Sequence, residues 1–264
     1  MRPAGRRLFG GCGCATVVAV ILILAVIGWA VSLSLSGTSP FRQLQPIPDN
    51  VPPQAGEPVP NINVHAPGRT ADKLTFWAED LAVETGIPEP ALRAYGNAEL
   101  IARDAWPGCN LSWTTLAGIG QVETRHGSYS GRVLAPAEID ADGVVRPPII
   151  GPALDGTGGF AAIHDTDGGE LDGDAEWDRA VGPMQFIPES WARFGLDANG
   201  DGVADPNQID DAAAAAAKLL CHGRDLSQPR DWAQAINSYN MSGEYLIDVR
   251  DAANSYALRQ PAVH

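Results

Sequence analysis

Positive charge is scarce in this chain: 18 lysines and arginines stand against 32 aspartates and glutamates, for a formal charge of −14. Three of those arginines, Arg2, Arg6 and Arg7, lie ahead of a long apolar run, so the remainder carries −17. A surface of that sign excludes nucleic acid as a partner and has no bulk attraction to anionic headgroups. An acidic substrate would have to be held by local hydrogen bonds or through divalent cations. Alternating apolar and polar strands are also missing, and the periodic segments recur at helical spacing instead, so the fold class is mainly α. Cysteine is rare too. Of four, Cys12 and Cys14 precede the apolar run, which leaves Cys109 and Cys221 beyond it.

Residues 15–35 carry no charged side chain and are long enough to cross a bilayer as a helix. The preceding arginines put residues 1–14 in the cytoplasm, 15–36 as a single-pass signal-anchor in the plasma membrane, and the rest on the extracytoplasmic side. A cleaved signal peptide is the alternative reading, with small residues at Ser32 and Ser34. In that compartment Cys109 and Cys221 are expected to form a disulfide. Residues 37–69 hold eight prolines and few large apolar side chains, and are expected as a disordered, semi-rigid spacer.

The folded domain is expected over 70–258, with 259–264 as a tail. Leu74, Trp77, Ala78 and Leu81 share a helical face that Gly86 closes, and 88–105 reads as a second helix. A third starts at Ser112, a good N-cap, and carries the stripe Trp113, Leu116, Ala117 and Gly120. The next step of three reaches Glu123. A carboxylate there would face the core near a helix C-terminus, and both circumstances raise its pKa toward that of a general acid. Periodicity alone leaves a second reading open, in which Glu123 pairs with Arg125 or turns to solvent. A Gly-, Pro- and Asp-rich region follows over 128–179, with a hairpin around 139–146. Short helices are expected at 188–194, 209–222, 232–240 and 243–257.

Two further segments carry polar groups suited to sugars. In A-V-G-P-M-Q-F-I-P-E-S-W, residues 180–191, Gln185 can donate to and accept from a hydroxyl or acetamido group, and S-Y-N at 238–240 adds Tyr239 and Asn240. Together with G-Q-V-E-T-R-H-G at 120–127, and in this order, they resemble the lytic murein transglycosylases of the membrane-bound B-type group. The resemblance covers about 70–256. It implies a lysozyme-like goose-type/transglycosylase domain, here with a loop-rich insertion and after one transmembrane helix. It also implies non-hydrolytic cleavage of the β-1,4 bond between N-acetylmuramic acid and N-acetylglucosamine in peptidoglycan glycan strands. Glu123 would be the single acid and base, with no cofactor for catalysis. Gln185 and Tyr239 would hold acetamido groups or orient Glu123, Asn240 would line the cleft, and Met184 and Phe186 would form an apolar wall. Thr124 stands where the family usually has Ser, and keeps the hydroxyl.

Asp197, Asn199, Asp201, Val203 and Asp205 space oxygen ligands as in an EF-hand loop, Val203 through its carbonyl, with Gly202 at the sixth position for the turn. A structural calcium is the cation expected there. The twelfth position is Gln208 rather than Glu, which weakens the site. A second acidic group, from Asp165 to Asp178, lacks that register and reads as a solvated loop. A true hydrolase would need a second carboxylate, for which Asp178 and Glu138 are the candidates. A wall-binding module without catalysis is the other alternative.

Overall fold

Seven α-helices carry the fold among the described residues, which in this computed structural model are 44–129 and 136–262. The expected cytoplasmic stretch 1–14 and membrane segment 15–36 lie outside them. No helix among the described residues is long and apolar enough to cross a membrane.

A short 3-10 turn, Thr70–Leu74, leads into α1 (Thr75–Thr85), which ends on Gly86 in the left-handed conformation, as the sequence indicates. Next come α2 (Glu89–Ala105) and α3 (Trp113–Thr124). Ser112 caps α3 by accepting from the Thr114 amide, and the stripe Trp113, Leu116, Ala117 and Gly120 is buried. The side of α3 packs on α7 (Gly243–Ala257) so closely that a Cβ on Gly118 would stand 2.6 Å from the Val249 carbonyl oxygen. Between them in sequence lie α4 (Pro188–Phe194), α5 (Ile209–Leu220) and α6 (Pro229–Tyr239). Ala212 to Ala217 on α5 are all fully buried, so this helix is enclosed on every side and its small side chains let α2 approach. The Cys109–Cys221 disulfide joins the start of the α3 region to the end of α5.

Two small antiparallel pairs complete the fold. β1 (Glu138–Ile139) and β2 (Val145–Arg146) form the expected hairpin. The sequence reading does not contain the second pair, β3 (Ile150–Ala153) with β4 (Arg179–Val181), in register Ile150 to Val181 with an irregularity before Ala153. The chain between them continues as an arm, through bridges Asp155 to Ala162 and His164 to Trp177.

The spacer expectation for 37–69 is corrected from residue 46 onward. Val59 is buried, the Glu57 carbonyl accepts from the Trp113 indole, and the Gln54 carbonyl accepts from the Thr114 hydroxyl. Asn254 accepts from the Gln54 amide and donates to the Pro48 carbonyl. Arg69 closes the strap by ion-pairing with buried Asp210 at 2.8 Å. Proline-rich composition removes amide donors without preventing an extended strand from docking by its carbonyls, and that is how this strap is held. The expected tail also begins later than residue 259, because Arg259 pairs with Glu84 and Gln260 is buried.

Candidate active site

Glu123 lies one residue before the end of α3, and the burial of its helix leaves it facing a cleft of about 290 Å³. Thr124, Tyr129, Ile149, Ile150, Gln185 and neighbouring β3 residues form the other walls. Burial pushes the Glu123 carboxyl up to about 7, while a 2.6 Å hydrogen bond donated by the Tyr245 hydroxyl to Oε1 opposes the rise. A carboxyl poised near neutrality can give up a proton and take it back. The alternative pairing with Arg125 does not occur. Arg125 takes a left-handed conformation as the C-cap of α3 and lies over the Tyr129 ring.

Thr124 ties the two halves of the site together. Its hydroxyl donates to the Pro183 carbonyl at 2.7 Å and accepts from the Gly127 amide at 2.7 Å. Beneath the helix end, His126 is buried between Tyr95 and Tyr256 and its pKa is lowered to about 3 by burial, so it is neutral. Tyr256 donates to Gln121, which leaves the His126 Nε2 to donate to Tyr256 and its Nδ1 to accept from Tyr95. This network fixes the turn that follows Glu123.

The expected sugar-binding residues divide. Gln185 does line the cleft, in a left-handed conformation at φ 48°, with its amide donating to the Gly182 carbonyl. Met184 and Phe186 do not form a cleft wall: both are buried, Phe186 edge-on to Trp191 and Tyr239. The Tyr239 hydroxyl neither reaches into the cleft nor orients Glu123, because it donates to the Met184 carbonyl at 2.7 Å. Asn240 is exposed and caps a turn by accepting from Ser242. Tyr245 takes the orienting role assigned to Tyr239, its ring lying parallel to that of Tyr239. Nothing in its sequence surroundings sets Tyr245 apart from an ordinary first-turn aromatic. Its distance of six residues from Tyr239 fits no single helical face, because a helix boundary falls between the two.

Neither candidate for a second carboxylate lines the cleft. Asp178 is fully buried and its two oxygens accept from the amide and hydroxyl of Thr166, and Glu138 is an exposed residue of β1. Oxygens of Asp165, Asp167 and Asp178 lie within 4.8 Å of one another, in an arm where Asp165 and Asp167 accept a series of backbone amides. The EF-hand-like loop is different. Asp197 accepts from the amides of Gly200 and Gly202, Asn199 donates to Asp201, and Asp201 and Asp205 accept from the amides two residues on. Gln208, at the twelfth position, instead caps α5 by accepting from the amides of Asp210 and Asp211. Asp211, absent from the sequence reading, supports the loop from beneath by accepting from the amides of Ala198, Asn199 and Asp205. Burial, with the nearby Asp197 charge adding to it, raises the Asp211 carboxyl to about 6. Among the described residues the carboxylates of this loop do not gather three oxygens within 4.8 Å of one another, as Asp165, Asp167 and Asp178 do.

No curated protein and no solved structure matches the chain. The family comparison reaches the cleft floor and Tyr245 but begins after the Glu123 helix, which joins the matched region through the Thr124–Pro183 and Tyr245–Glu123 bonds. Residues 161–256 match the family model of the transglycosylase SLT domain, which supports a lytic-transglycosylase-like family for this mainly helical chain.

Proposed function

We propose that the protein is a peptidoglycan lytic transglycosylase that uses Glu123 as its single acid and base. The observation that carries this reading is one cleft carboxyl, raised to about 7 and gripped by Tyr245, with no second carboxylate lining the same cleft among the described residues. Glu123 protonates the oxygen of the β-1,4 bond between N-acetylmuramic acid and N-acetylglucosamine. The C1–O bond breaks, and positive charge develops at C1. The C6 hydroxyl of the same muramic residue then attacks C1 and gives its proton to the Glu123 carboxylate, which restores the acid. The product is a 1,6-anhydro end, and the two product masses sum to that of the substrate. An intramolecular nucleophile has a high effective molarity, so no carboxylate is needed to activate water. Tyr245 stabilises the carboxylate formed between the two proton transfers, and Gln185 is placed to bind a substituent on the sugar.

The same reading places the chain at the plasma membrane through residues 15–36, with the catalytic domain outside the cytoplasm. It assigns a structural calcium to Asp197, Asn199, Asp201, Val203 and Asp205, with Asp211 holding the loop amides beneath them. The calcium supports the fold and takes no part in the bond cleavage.

Mass spectrometry of digested peptidoglycan tests the reaction. Wild type should release ends lighter by one water than hydrolysed ends, and Glu123→Gln should lower the rate by about 10² to 10⁴ while glycan binding persists. Reducing ends would convert the assignment to a lysozyme-like hydrolase. Binding with no release by wild type would convert it to a wall-binding module.

A further inference from the structure

The chain that follows Glu123 turns back through a strained backbone. Arg125, His126 and Gly127 take left-handed conformations in succession, at φ 50°, 57° and 78°, and the first two carry side chains that disfavour that region. Hydrogen bonds and packing hold the turn in this shape. The Thr124 carbonyl accepts from the amides of Ser128 at 3.1 Å and Tyr129 at 2.8 Å, and the Ser128 hydroxyl donates to the Arg125 carbonyl at 2.8 Å. A Cβ on Gly127 would stand 3.0 Å from the Ile139 side chain, so the turn is also packed against the β1–β2 hairpin. Strain of this kind persists where the surroundings enforce it, and it collects at binding and catalytic sites.

What the turn delivers is Tyr129, which lines the same cleft as the Glu123 carboxyl. Of the exposed aromatic side chains among the described residues, Phe76, Tyr129 and Phe160, it alone does so. Its ring is 51% exposed, whereas Met184 and Phe186 are buried in the core. The Arg125 guanidinium lies over the ring, 5.5 Å from its centre, and braces it from within the turn. Ile150, itself 42% exposed, and Pro152 add apolar surface to the cleft, and Gln185 adds a polar group. A pyranose ring has the matching division: its C–H face packs on an aromatic ring, while the hydroxyl and acetamido groups at its edge need hydrogen-bond partners. A wholly apolar occupant would strip water from Glu123 and Gln185 without replacing its hydrogen bonds.

We infer that Tyr129 is a substrate-binding residue, the platform on which one amino-sugar ring of the glycan stacks, and that Arg125 is a positioning residue that braces the platform. The inference rests on the glycan-cleaving reading above and deepens it, naming the contact that orients a sugar beside Glu123. Tyr129 is bonded to Thr124 through its amide, and Thr124 to the Pro183 carbonyl through its hydroxyl, so the platform, the acid and the cleft floor are tied to one another. Stacking uses the ring and not the hydroxyl, so phenylalanine should serve in its place.

The test uses the full chain in detergent, a soluble β-1,4-linked oligomer of N-acetylglucosamine as the binding probe, and peptidoglycan as the cleavage substrate. In a Glu123→Gln background, titration calorimetry should show Tyr129→Ala weakening the oligomer about tenfold and Tyr129→Phe staying within about twofold of the parent. Arg125→Gln should fall between them, and Arg125→Lys should restore the parent affinity because the brace requires a cation. In the active enzyme, Tyr129→Ala should raise KM while the melting temperature and the alkaline limb of the pH profile stay in place; a merely structural role would lower the melting temperature instead. Undiminished binding by Tyr129→Ala, a Tyr129→Phe variant as weak as Tyr129→Ala, or a Glu123→Gln parent that does not bind the oligomer overturns the inference. So does an alkaline limb that moves with Tyr129→Ala, since Tyr129 would then act through Glu123. If wild type releases no fragments while oligomer binding still depends on Tyr129, the proposed reaction falls and the platform stands. If wild type releases anhydro ends and neither readout responds to Tyr129, the platform alone falls.

Discussion

Replacing Tyr245 by Phe removes one hydroxyl and little volume, and should move the pH dependence of cleavage in a direction fixed by the structure. The hydroxyl donates to Glu123 Oε1 at 2.6 Å and favours the carboxylate, so it holds the Glu123 pKa down while burial raises it to about 7. A hydrogen bond to a charged group is worth about 1.5 to 3 kcal/mol, and one pKa unit is about 1.4 kcal/mol. Losing it should therefore raise the carboxyl by about one to two units, to roughly 8 or 9. Glu123 must be protonated to start the reaction, so the alkaline limb of kcat/KM should shift upward by the same interval. On the acidic plateau the acid is already protonated in both proteins. There the variant should be slower, because the carboxylate formed on proton donation has lost its donor. Rates of release of soluble fragments from sacculi, measured between pH 5 and about pH 10, give both quantities. An alkaline limb that stays near pH 7, or moves down, would refute the claim that the limb reports Glu123 held by Tyr245.

Chelation should lower the melting temperature and excess calcium should restore it, by about 2.7 kcal/mol at a hundredfold excess over Kd. Asp211→Asn should abolish that response although Asp211 lies outside the loop itself, and a wild-type melting curve indifferent to chelator would remove the calcium. Shortening the chain to begin at Thr70 should cost on the order of 5 kcal/mol, since it removes Val59 from the core and the strap bonds to Trp113, Thr114 and Asn254. Beginning at Pro46 instead should cost little, and equal melting temperatures for the two shortened chains would show that the strap contributes nothing.

The helices were legible because their signals are local. Ser112 caps its helix, Gly86 and the apolar stripes mark ends and faces, and the step from Gly120 to Glu123 picks out the residue that meets the cleft. Side-chain destinations set by other elements were not. Met184 and Phe186 are as apolar as a cleft wall requires, but the arrival of Trp191 and Tyr239 from α4 and α6 makes them core. Tyr239 spends its hydroxyl on a backbone carbonyl, leaving Glu123 to Tyr245 on the following helix. Asp211 escaped the twelve-residue register because the chain turns into α5 first and Gln208 is used to cap it. Proline content concealed the strap, whose anchoring groups are carbonyls and so leave no mark in side-chain composition.

The disulfide has a topological consequence. Cys109 and Cys221 enclose 111 intervening residues, and that covalent ring contains Glu123, Gln185, the acidic arm and the EF-hand-like loop. The exposed glycine-rich turn around residues 156–160 is the kind of site where proteases cut. A cut there opens the ring without detaching either piece, so the Glu123 helix and the cleft floor remain one covalent molecule. Damage to the arm is thus converted from the loss of half an enzyme into a nick.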